Sequence, residues 1–196
     1  MWYYVKQTLF VLGLLLFMIL TSSAIVMIKT DWVKLALSFL NIALFAAAIF
    51  LAFFNDGQEA YKTLKRNDKE RLAIIETGED RKIEREKEYH PVKGFMFGLS
   101  ANIPLVILLI IHLIIHLTGS DSIIMGQAAG FIYYVLYVPI SVLVPEITYE
   151  SFFYLLYAIP FLSVLTGVPY LLGARKMKAE EMRIEEIKEK IKEAKR

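Results

Sequence analysis

The sequence predicts an all-α polytopic integral membrane protein with four transmembrane helices, one re-entrant or interfacial helix, and charged helical segments on the cytoplasmic side. Three observations carry this reading. Of the 196 residues, 57% are hydrophobic and the mean hydropathy is +0.50, against about 45–50% apolar residues in an ordinary soluble domain. Those residues fall into unbroken runs of about 20, enough at 1.5 Å per residue to cross about 30 Å of hydrocarbon. Lysine and arginine, finally, are concentrated in two places, which constrains topology. Runs of this kind form helices because backbone groups in lipid must be satisfied within the segment. The residue-by-residue alternation of a membrane β-barrel is absent.

The first span covers about Leu9 to Ile28. It is too long for the usual 7–15-residue core of a secretory signal, so an uncleaved first span is expected. The polar turn Lys29-Thr30-Asp31 leads at once into the second span, Trp32 to Phe54, and so short a connection makes the two an antiparallel hairpin. Trp2, Tyr3, Tyr4 and Trp32 stand where interfacial aromatics belong.

Residues 55–94 form a charged loop, with ten Lys/Arg and ten Asp/Glu between Asn55 and Lys93. Asp56 followed by Glu59 reads as a helix start. Tyr61, Leu64, Leu72 and Ile75 then make a thin apolar stripe at helical spacing. Thr77-Gly78-Glu79-Asp80 breaks it, and a second helix is expected over Arg81–Tyr89, ended by Pro91. The loop is thus expected to be a cytoplasmic helical hairpin.

The membrane region resumes with a third span over 95–117, where Pro104 sits inside and Gly94 and Gly98 form a pair suited to close helix contact. Segment 123–144 carries Gly126, Gln127, Gly130 and Pro139. The last apolar run is 152–172, with Pro160, Gly167 and Pro169. Residues 173–196 form a charged helical tail. In it Met177, Ile184 and Ile191 fall seven apart, with Ile187 and Ala194 between them and Glu180 spoiling one slot of a short heptad seam.

Topology follows from the charges. Short cytoplasmic segments collect Lys and Arg. Five transmembrane helices, the alternative, leave eleven such residues on each side of the membrane, because they put the loop and the nine-cation tail on opposite faces. If 123–144 does not cross, twenty lie inside and two outside. Four spans with both termini cytoplasmic in the cell membrane are therefore preferred.

Chemistry is sparse. There is no cysteine, which excludes disulfides, thiolate catalysis and Cys-type metal sites. The net charge of +2 and the lack of any recognition motif exclude nucleic acid as a partner. No nucleophile–base set, phosphate loop or paired catalytic carboxylates can be assembled, so no enzyme activity and no cofactor are expected. His112 and His116, four apart on a helix, are a candidate pair for zinc or haem iron, with Asp31, Asp121, Glu146 and Glu150 expected on the same side. The glutamate of the helical metalloprotease motif is missing between them. Asn41, Asn102 and Gln127 are read as hydrogen-bonding glue between helices.

Partners are membrane lipids and another membrane subunit or a second copy, with Ile184, Ile187 and Ile191 as the candidate partner-binding residues. The function expected first is a non-enzymatic accessory subunit or scaffold acting through its cytoplasmic helices. A channel or transporter component using 123–144 is the alternative. A metal or haem protein using the histidine pair is the third.

Overall fold

A computed structural model of the chain describes residues 2–78, 82–118 and 158–194. Among the described residues the secondary structure is entirely helical, with no strand. Four long helices account for it: α1 (Trp2–Val26), α2 (Asp31–Thr77), α3 (Lys93–Thr118) and α4 (Ala158–Ala194). A single 3₁₀ turn, Arg85–Lys87, lies between α2 and α3. Of these, α1 and α2 are long and apolar enough to cross a membrane, and α3 adds a shorter apolar stretch over Lys93–Ile107. Only 22% of the most apolar window of α1 or α2 is buried in the protein. Leu9, Leu16, Phe17, Leu20, Phe39 and Leu44 all stand exposed, an apolar surface that a core helix of a soluble domain would have covered.

Directions follow from the contacts. Helices α1 and α2 are antiparallel, as the 29–31 turn requires. Asn41 reaches back to Thr21 and Ser22 at 2.8 and 2.9 Å, and Asp56 to Tyr3 and Gln7. Helices α3 and α4 are antiparallel too, since Gly94 lies against Tyr170 and Gly98 against Leu162 and Ser163. Thr166 Oγ1 lies 2.8 Å from the Gly94 carbonyl oxygen across the same interface. Helices α2 and α4 run parallel: they cross at Gly57/Tyr170 and Phe54/Gly173, and meet again where Tyr61 and Lys65 reach Glu181. Their polar extensions therefore leave the bundle at the same end.

Glycine sets that crossing. A Cβ on Gly57 would lie 2.0 Å from the Tyr170 carbonyl oxygen, and one on Gly173 2.0 Å from that of Phe54. Backbone lies directly on backbone. Of the expected glycine pair, Gly98 does the same for α3 on α4, against the Leu162 and Ser163 backbone, while Gly94 makes room for the Tyr170 side chain. Around these contacts Phe53, Phe97 and Tyr170 are fully enclosed and form the centre of the core with Ile49 and Val11.

Three expectations need correction. No helix begins at Asp56. Helix α2 runs through it unbroken, because the Asp56 side chain is engaged sideways by α1 and Glu59 pairs with Lys62 at 2.6 Å instead of reaching back. The cytoplasmic helical hairpin does not form either. Gly78 ends α2 in the left-handed conformation (φ 69°), donating its N–H to the Ile74 carbonyl, as the expected break requires. The return through residues 82–90, however, holds only the 3₁₀ turn, since its groups are spent on hydrogen bonds to α2. The apolar stripe of α2 and the isoleucine seam of α4, two surfaces that could have covered one another, do not. Leu72 and Ile75 are exposed, as are Ile184, Ile187 and Ile191. The α2 extension instead buries Gly57, Ala60, Tyr61, Thr63 and Asn67. The tail is not a separate helix but the continuation of α4, which passes through Pro169 without ending.

Candidate functional site

At the level where the helices turn from apolar to polar, residues of α1, α2 and α3 join a half-buried polar cluster. The Tyr3 hydroxyl lies 2.5 Å from both carboxylate oxygens of Asp56, and Gln7 donates to one of them at 3.1 Å. Lys93, 3% exposed, puts its ammonium 4.6 Å from the centre of the Tyr3 ring and 5.4 Å from that of Tyr4, the geometry of a cation–π contact. It also donates to the backbone carbonyls of Glu86 and Glu88. Burial pulls the Lys93 amine down to about 8, against the opposing charges of Asp56 and Glu88. Burial likewise pushes the Asp56 carboxyl up, against the Tyr3 hydrogen bond and the Lys93 charge. With carbonyls and rings occupying it, Lys93 works as a clasp between the return segment and the start of α1. A cleft of about 710 Å³ adjoins, lined by Trp2, Lys6, Asp56, Lys82, Arg85 and Lys87 among others. Its charges are mixed and select no particular ligand.

Above this level the return segment is fastened to α2. Asn67, 1% exposed, accepts the Glu84 N–H at 3.3 Å and donates to Glu88 at 3.2 Å. Arg71 holds both oxygens of Glu88 at 2.9 and 2.8 Å. Tyr89 donates its N–H to the Ala60 carbonyl and stacks on Tyr170 with ring centres 5.7 Å apart. Tyr61 donates to Glu181 at 2.8 Å, with Lys65 on the same carboxylate at 3.2 Å. These bonds brace α4 as it leaves the bundle.

Beyond Glu181 the bracing stops. Every residue from Met182 to Ala194 is exposed. Ile184, Ile187 and Ile191 are 52%, 56% and 50% exposed, on one face by their spacing of three and four. This is a helix of about three turns with an uncovered apolar seam. Among the partner-binding residues predicted from sequence, all three are thus presented together.

The histidine pair lies in the last turns of α3. Of the expected carboxylate neighbours, Asp121, Glu146 and Glu150 lie outside the described residues, as do Gln127 and segment 123–144, while the Asp31 side chain is exposed. Among the described residues no group of three or more metal-ligating side chains comes together. Asn41 is glue between α1 and α2, as expected, donating to Ser22 Oγ and the Met18 carbonyl. Asn102 is buried within α3. Sequence reasoning missed Tyr3, Asp56, Asn67, Glu88 and Lys93 as partners of one another. Tyr3 and Asp56 are 53 residues apart and Asn67 and Glu88 are 21 apart, separations that leave no local signal. No protein family, curated protein or solved structure matches the chain.

Proposed function

We propose that the protein is a non-enzymatic accessory subunit or scaffold of the cell membrane, docking a partner on the protruding end of α4. The observation that carries this is the seam of Ile184, Ile187 and Ile191, left uncovered on a helix braced rigidly below it. Three isoleucines at helical spacing, half exposed to water, contribute little to the fold of this chain. Covering them would remove apolar surface worth about 25 cal/mol per Å², the usual basis of helix-to-helix recognition.

Four crossings with both termini cytoplasmic complete the reading. The antiparallel course of α3 and α4 supports it, because a chain that crosses once between them would make the two parallel. The shared end of the α2 and α4 extensions supports it as well, since cation-rich regions at one end of a membrane bundle would share the cytoplasmic side that the charge rule requires. Segment 123–144 then stays re-entrant or interfacial.

Two experiments test the proposal. Single cysteines at positions 120, 151 and 192 of this cysteine-free chain are probed in intact cells with a membrane-impermeant thiol reagent. Labelling at Ser120→Cys and Ser151→Cys but not Lys192→Cys is expected, and labelling at 192 would require a different topology. Replacing Ile184, Ile187 and Ile191 together by Ser is expected to strip a co-purifying protein. An unchanged set of companions and an unchanged mass would refute the docking role.

A further inference from the structure

The charges beside the seam restrict what can cover it. At 100° per residue, Arg183 and Lys190 flank the isoleucines on one side and Lys188 and Lys192 on the other. Glu185, Glu186, Glu189 and Glu193 fall toward the opposite face. The four cations make no ion pair among the described residues. We infer that the occupant of the seam is an amphipathic helix of another protein whose apolar stripe is flanked by Asp and Glu. This rests on the docking reading above and adds the chemistry of the partner.

The two other candidates fit less well. In a parallel pair of copies, Arg183 of one chain faces Lys188 of the other, because flanking positions five residues apart meet across a coiled coil. In an antiparallel pair the Arg183/Lys190 edges face each other. Both arrangements put like charges together at the rim, which suppresses that pairing. An anionic lipid surface would suit a basic-flanked stripe, but α4 continues unbroken from its apolar segment past Leu172. Ile184 and Ile191 therefore stand about 18 and about 28 Å farther along the helix, beyond the about 8 Å reach of charge in physiological salt. Isoleucine contacts supply the attraction and the cationic flanks select the partner.

The test uses the full chain in neutral phosphatidylcholine nanodiscs and two labelled helical peptides with the same Ile/Leu seam. One carries Glu at its flanking positions, the other Lys. Fluorescence anisotropy is expected to show the Glu peptide binding at least about tenfold tighter, a difference of about 1.4 kcal/mol, with the preference shrinking in high salt. In the variant Arg183→Glu/Lys188→Glu/Lys190→Glu/Lys192→Glu the order should reverse, with helicity by circular dichroism unchanged. Equal binding of both peptides, abolished by the triple Ile→Ser change, would overturn the charge assignment and leave the docking role standing. Binding of neither peptide, together with companions unchanged in the triple Ser variant, would overturn both. Concentration-dependent dimerisation lost on the same Ser changes would identify a second copy as the occupant and refute the acidic partner.

Discussion

Lys93 shows how one side chain acquires a role from its surroundings. In the sequence it is one of ten cations in the charged loop. In the fold it is sealed against two tyrosine rings and caps two backbone carbonyls. Burial holds its amine at about 8, below the 10.5 of a free lysine. Between those values the unfolded chain keeps a proton that the folded chain has released, so stability rises with pH across that window and is flat below it. We expect a rise of at most about 3 kcal/mol, read from thermal unfolding in detergent micelles between about pH 7 and about pH 11. Lys93→Met should abolish the slope while costing about 1–3 kcal/mol through the carbonyls left without a donor. A parent protein with no slope would show that the amine is not sealed. Asn41 is simpler, and its position in an apolar run was enough to predict its role. Asn41→Leu should cost about 1 kcal/mol by breaking the bonds to Ser22 and Met18, measurable in the same assay.

At the scale of elements, the glycines decide how helices meet. Gly57 and Gly173 sit where α2 and α4 touch through backbone, so any side chain there must push the helices apart. Gly57→Leu or Gly173→Leu is expected to destabilise by about 3 kcal/mol or more. Gly13, with nothing within 4 Å of a would-be Cβ, gives the contrast. Gly13→Ala should be neutral or stabilising by up to about 1 kcal/mol through helix propensity alone. Equal effects at positions 13 and 57 would refute the close crossing. The Gly94/Gly98 pair was legible because two small residues four apart sit at the head of an apolar run. Gly57 and Gly173 were not, because each has its partner on a helix more than 100 residues away. The return segment misled for a related reason. Its alternating charges suit a helix, but Glu84 and Glu88 are claimed by Asn67 and Arg71 of α2, and that pairing outweighs local propensity.

For the whole molecule, the bundle and the protruding seam are separable. No described residue after Glu181 is buried, so a chain ending at Met182 should keep its melting temperature within about 2 °C, since surface changes away from such contacts shift stability by about 0.5 kcal/mol or less. It should lose partner binding entirely. A large fall in melting temperature would mean that the tail stabilises the body and is no free docking arm.

By itself the sequence determined that the chain is helical, which runs are apolar enough to enter a bilayer, and that Ile184, Ile187 and Ile191 share a face. These depend on residues within a few turns of each other, where helix periodicity and transfer out of water act locally and additively. Only the tertiary structure decided that α2 and α4 leave the bundle together, that Asp56 serves Tyr3 rather than a helix start, and that Lys93 is enclosed while the isoleucine seam is not. Each of those depends on which distant segments come within a few ångströms, and contact energies between remote residues leave no periodic trace along the chain.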